Sequence, residues 1–136
     1  MALSMRYPAP TTFSSRNNDS LTAMLHIDWD YLHLVSNHRP DFEIDLLRKL
    51  TDLLPSYLNI LHANLQLEDF DDVARTAHCI VGASASCGVL TLQDIAACIE
   101  HHAYLRQRED IEQLLADFKF VFETLKSFMA VAVVAV

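Results

Sequence analysis

The sequence predicts an all-α fold, an antiparallel up-and-down four-helix bundle with a short extra N-terminal helix. Three observations carry this. From Ile27 onward the apolar residues recur at helical spacing. The only two glycines, Gly82 and Gly88, lie close together. With 136 residues, 51% of them hydrophobic and 21% charged, the chain is long enough for one domain with a buried core and too apolar to be disordered throughout.

Residues 1–23, with Pro8, Pro10, Asn17, Asn18 and scattered Ser and Thr, show no apolar period and read as a flexible N-terminal tail. Arg6 and Arg16 stand there against a single acid, Asp19, a composition that also allows a transit peptide. Residues 24–136 are the expected bundle domain. A short helix over about 28–36 should bury Trp29 or Tyr31 with Leu32 and Leu34 and close one end of the bundle, before the break at Asn37 to Pro40. Leu46, Leu47, Leu50, Leu53, Leu54, Tyr57, Leu58, Leu61 and Leu65 then form one stripe, consistent with a long helix over about 41–66, kinked at Pro55, where the N–H is missing.

Asp69 supplies an N-cap for the next helix, and Asp71 and Asp72 put negative charge where the helix dipole is positive. Gly88 is placed to end that helix. Thr91, with Asp94 three residues on, offers a cap for a helix ending near Gln107, with Leu92, Ile95, Ala96, Ile99 and Ala103 facing inward. A last helix from about Glu109 into the 130s repeats Ile111, Leu114, Leu115, Phe118, Phe122, Leu125 and Met129 on one side.

Eighteen acids against ten Lys and Arg give a net charge of −8, which disfavours binding driven by phosphate neutralisation, so no nucleic-acid partner is expected. The apolar stretch Phe128 to Val136 is nine residues, and a helix needs about twenty to cross a bilayer. No membrane span is expected. Three cysteines, Cys79, Cys87 and Cys98, are odd in number and show no CxxC pairing, which together with the lack of a secretory apolar region reads as free thiols in the cytoplasm.

The informative run is Ala77-His78-Cys79-Ile80-Val81-Gly82-Ala83-Ser84, followed by Gly88. At about 100° per residue from Val73, Ala77, Ile80, Ser84 and Cys87 fall within roughly 40° of one direction and define a buried seam. His78 lies about 140° away and Gly82 about 180°, on an outer sector shared with Asp71, Arg75 and Ala85. The imidazole therefore faces water. Glycine inside a helix costs about 1 kcal/mol relative to alanine, and a bare backbone one turn from His78 would let another protein come close. Periodicity alone leaves a second reading open, in which Gly82 relieves a helix–helix contact and His78 is an ordinary surface residue.

This run, with the downstream Cys98-Ile99-Glu100, the opening Asp-Trp-Asp, Asp-Phe-Glu-Ile-Asp-Leu-Leu and the acidic turn, resembles the histidine-containing phosphotransfer (HPt) domain of multistep two-component signalling over residues 27–130. The resemblance implies a four-helix bundle in which His78 takes a phosphoryl group from a receiver-domain aspartate and passes it to another. It implies a phosphohistidine carrier, not an enzyme with its own turnover. The partners would be receiver domains of response regulators or hybrid histidine kinases. No cofactor is expected on this chain, and Mg²⁺ would be bound by the receiver.

The family usually has lysine three residues after the histidine, where this chain has Val81, so the charge that would screen a phosphoryl group is lost. Arg75, one turn before His78, is a candidate substitute. Glu100 would orient the imidazole through one ring nitrogen, unless it is simply a solvated helix charge. Asp71, Arg75, Val81, Gly82 and Ala85 make up the expected docking face. A module that binds receiver or kinase domains without phosphotransfer is the alternative. His26, His33, His38, His101 and His102 lack ligand spacing, so no metal is expected. Phe120 reads as an exposed ring that, with the apolar C-terminus, would support self-association, although a monomer is expected.

Overall fold

Five helices follow one another: α1 (Trp29–Val35), α2 (Pro40–Gln66), α3 (Phe70–Ser86), α4 (Leu90–Tyr104) and α5 (Arg108–Ala135). The structure, a computed structural model, describes residues 25–135, with side chains as far as Val131. The tail expected over residues 1–23 lies outside the described residues. Three-residue connections join α2 to α3, α3 to α4 and α4 to α5. Links this short make successive helices antiparallel neighbours. α2 closes the ring against α5, and the α3–α4 pair shares the most extensive contact.

Two helix starts follow the acidic residues. The Asp28 carboxylate accepts the Tyr31 N–H at 3.0 Å, and Asp69 accepts the Asp72 N–H at 3.2 Å. The start of α4 departs from expectation. Its N-cap is Val89, with no side-chain cap, and Thr91 lies inside the helix, 2% exposed. The Thr91 hydroxyl instead accepts the His26 N–H at 2.7 Å. Residues before α1 run beside the α3–α4 turn, where Ile27 and Val89 form an antiparallel bridge, Asp28 N–H donates to Gly88 O at 2.7 Å, and Leu90 N–H donates to His26 O at 2.8 Å. These bonds, not a cap, satisfy the turn.

The first four helices all end by the same device. In α3, Gly88 N–H donates to Ala85 O and Val89 N–H to Ser84 O, the paired closure of a left-handed C-terminal turn, with Gly88 at φ +74°. A Cβ on Gly88 would meet Leu32 and Tyr31 of α1 at 3.3 Å. The other three turns place Asn37, Glu68 and Arg106 at φ 55°, 57° and 56°. A left-handed residue with a Cβ costs about 1–2 kcal/mol, and local contacts offset it: the Arg106 guanidinium lies over Phe70, and Glu68 accepts from Arg108 at 3.2 Å. Because Arg106 closes the turn, α4 ends at Tyr104 and not near Gln107.

The expected stripes of α4 and α5 are buried throughout, and Phe118 is fully enclosed. On α2, Leu47, Leu50, Leu54, Leu58, Leu61 and Leu65 face the core, whereas Leu53 is 42% exposed at the stripe's edge. The helix is continuous through Pro55. In α1 only Leu32 is buried; Leu34, two residues on and about 200° round the helix, faces outward, and Trp29 is exposed. Trp29 lies against Phe128 instead, with ring centroids 6.0 Å apart. Glu43 is also buried, one turn before Leu47. Its carboxylate accepts from His33 Nδ1 and from the Ser36 hydroxyl, both at 2.7 Å. Burial alone would push this carboxyl up, but the two hydrogen bonds together with the charges of His33 and His38 hold the group below its ordinary value. The bonds tie α1 to α2.

Candidate functional site

α3 is cut into two faces by its own sequence. Val73, Ala77, Ile80 and Ser84 are buried against α2 and α4, joined by Phe70, Ala74 and Thr76. The small residues Ala74 and Ala77 let α4 approach closely, which brings the outer edge of α3 beside Glu100 on α4. Cys87 is half-buried, and its thiol, pushed up by that burial, points to the Leu46 carbonyl at 3.5 Å. Cys98 is buried and Cys79 exposed.

His78 stands on the outer face with its side chain 74% exposed. Its Nδ1 lies 3.2 Å from Glu100 Oε2, whose side chain is only 20% exposed. A carboxylate oxygen can only accept, so Nδ1 is the protonated nitrogen in this contact, and in the neutral ring the lone pair then lies on Nε2. Glu100 also accepts a hydrogen bond from the Tyr104 hydroxyl at 3.2 Å. Asp71, Ala74, Arg75, His78, Glu100 and Tyr104 together line a shallow open cleft.

Gly82, one turn past His78, has nothing within 4 Å of where a Cβ would stand. It therefore relieves no helix–helix contact, which removes that reading of the residue. Val81 is half-buried and packs on the edge of the core. Ala85 is half-buried and Asp71 exposed on the same side. Arg75 shares the cleft, but its guanidinium is ion-paired with Asp72 on its own helix. The structure thus brings His78, Glu100, Arg75 and Asp71 together, with Gly82 and Val81 on the adjacent turn.

Tyr104 was not legible from sequence as part of this cluster. Its signal was the i, i+4 spacing from Glu100, which places the two side chains one above the other on α4. Among the described residues, no three His, Cys, Asp or Glu side chains gather as a metal site requires, and no helix is long and apolar enough to cross a membrane. Phe120 is 46% exposed.

Comparison with known proteins gives a consistent result. The family model described as Hpt domain matches residues 45–130. The chain is 27% identical over 128 residues to the aerobic respiration control sensor protein ArcB of Escherichia coli O157:H7, and equally to that of Shigella flexneri. The match covers 90% of this chain and 16% of that relative, so the chain spans about a sixth of the relative's length. Among solved structures it is similar to the HPT domain of an Hpt sensor hybrid histidine kinase from Shewanella, at 25% identity and TM-score 0.57, covering 78% of this chain and 89% of that one. The histidine-containing phosphotransfer domain of ArcB from Escherichia coli shares the fold at TM-score 0.64 and 24% identity, covering 79% and 95%.

Proposed function

The chain belongs to the Hpt domain family, and from that premise we propose that it is a phosphorelay intermediate whose phosphoacceptor is His78. The observation that carries the reading is the 74% exposure of the His78 side chain on a regular helix beside an open glycine. A ring so placed can be reached by a rigid partner surface, and the missing Cβ at Gly82 gives that surface room.

In the proposed step, Nε2 of the neutral imidazole attacks the phosphorus of a receiver-domain aspartyl phosphate in line. A P–N bond forms as the acyl P–O bond breaks, and the electron pair returns to the receiver carboxylate. Nδ1 keeps its proton, held toward Glu100. A Mg²⁺ bound by the receiver would supply the charge that neutralises the oxygens of the moving group. The reverse step hands the group to a second receiver. This chain contributes exposure, ring orientation and a docking face of Asp71, Arg75, Val81, Gly82 and Ala85. It acts as a carrier and needs no cofactor of its own.

Two observations favour a second reading, binding without transfer. Val81 brings no charge to the phosphoryl position, and the Arg75 guanidinium is drawn to Asp72. Incubation with a phosphorylated receiver, wild type against His78→Gln, separates the two. Acid-labile phosphate on the wild type and none on the variant supports the carrier. A stable complex of both proteins without phosphate transfer supports the binding module.

A further inference from the structure

The cleft beside His78 contains one group the phosphotransfer reading has not used. Tyr104 is the last residue of α4, 67% exposed, with its hydroxyl 3.2 Å from Glu100 Oε2. The same carboxylate faces His78 Nδ1. The order Tyr104 Oη–H to Glu100 to H–Nδ1 of His78 is a short ladder with donors at both ends and the carboxylate as the shared acceptor.

We infer that Tyr104 is a positioning residue for His78, fixing the Glu100 carboxylate so that the imidazole is held in the Nδ1–H form with Nε2 free to accept phosphorus. This rests on His78 being the phosphoacceptor. Glu100 has a flexible side chain, and a carboxylate held only by an exposed imidazole would sample many rotamers. Anchoring from one turn further along α4 restricts it. The hydroxyl suits the task because a phenol is protonated, and so a donor, at neutral pH, and its hydrogen bond to the Glu100 carboxylate pushes it further up from its ordinary value. No aliphatic side chain at position 104 would do the same. The inward residue of that turn, Ala103, packs the core, so Tyr104 can be altered without loss of the bundle.

The experiment is ¹⁵N NMR of the His78 ring in the full chain, wild type against Tyr104→Phe, at pH 8. The wild type should show Nδ1 protonated and Nε2 unprotonated, and Tyr104→Phe should shift the ring toward the tautomer mixture of an isolated imidazole. Phosphoryl transfer from a phosphorylated receiver should fall about three- to tenfold in the variant, the scale of one exposed hydrogen bond. The loss should appear in the maximal rate and not in the receiver concentration for half-maximal rate. A ring tautomer identical in the two proteins would overturn the role of Tyr104 whatever the transfer rate. A wild type that takes up no phosphoryl group, with the tautomer shift intact, would overturn the phosphocarrier reading instead.

Discussion

Glu100 on α4 and His78 on α3 meet across the helix pair, with Oε2 3.2 Å from Nδ1, one side chain mostly covered and the other mostly in water. The covered carboxylate faces Nδ1, and Nε2 is the ring nitrogen turned away from it. Glu100→Ala should therefore slow phosphoryl uptake about three- to tenfold, since a solvent-exposed ring loses one orienting hydrogen bond. Glu100→Gln, which keeps an acceptor oxygen, should retain most of the rate. Stopped-flow transfer from a phosphorylated receiver reads both.

Arg75 is engaged by Asp72 three residues earlier on α3, and both side chains are well exposed. A phosphoryl group on His78 would compete with Asp72 for the same guanidinium, because His78 and Arg75 line one cleft and Asp72 is the ion-pair partner of Arg75. Arg75→Ala should shorten the phosphohistidine lifetime about two- to fivefold, and Asp72→Asn should lengthen it by a similar factor, in keeping with the small energies of exposed ion pairs. The decay of acid-labile phosphate from the isolated, phosphorylated protein gives the lifetimes. Unchanged lifetimes in both variants would mean that Arg75 does not replace the missing lysine.

Gly82 has empty space where its side chain would be, so adding a methyl group should improve the helix without a clash. Gly82→Ala should raise unfolding stability by about 1 kcal/mol, read from urea denaturation. The same substitution should weaken receiver binding, measured by calorimetry, and Gly82→Leu should weaken it further. A glycine that costs stability alone yet assists docking reflects a surface shaped for a partner.

Glu43 sets an acid limit on the fold. Burial raises its carboxyl, the His33 and Ser36 hydrogen bonds and the charges of His33 and His38 together lower it, and its folded value lies below the ordinary 4.5. A depressed carboxyl contributes stability that is complete above the unfolded value and is lost as the pH falls through the folded one. Wild type should exceed Glu43→Gln in stability by about 1 kcal/mol at pH 7, and the gap should close as the pH falls below 4.5. Urea melts at pH 7, 5, 4 and 3 test this; a gap independent of pH would mean that the ionised form is not what the pocket stabilises.

The apolar period made the bundle legible because each long helix buries a repeated stripe, and the outward position of His78 followed from the same arithmetic. What the sequence hid were features set by tertiary neighbours. Thr91 has the chemistry of a cap, but the segment around His26 takes its hydroxyl. The ends of α2 and α4 carry Glu68 and Arg106 in left-handed turns where glycine would have marked the boundary. Leu34 stands about 200° round α1 from Leu32, so the helix cannot bury both. Glu43 shares the inward face of Leu47, yet a charge at such a position is readable only once His33 and Ser36 are seen beside it. In the site, the Glu100–His78 pair was foreseen from the family pattern, whereas Tyr104 and the Arg75–Asp72 pairing depend on side-chain directions that spacing does not fix.

The central claim concerns one residue among seven histidines. After exposure of the full chain to a phosphorylated receiver domain, mass spectrometry with fragmentation that preserves the P–N bond locates the modification. The account predicts phosphate on His78 and on no other histidine. Phosphate on His101 or His102, or a receiver that loses its phosphate while every histidine of this chain stays unmodified, would contradict it.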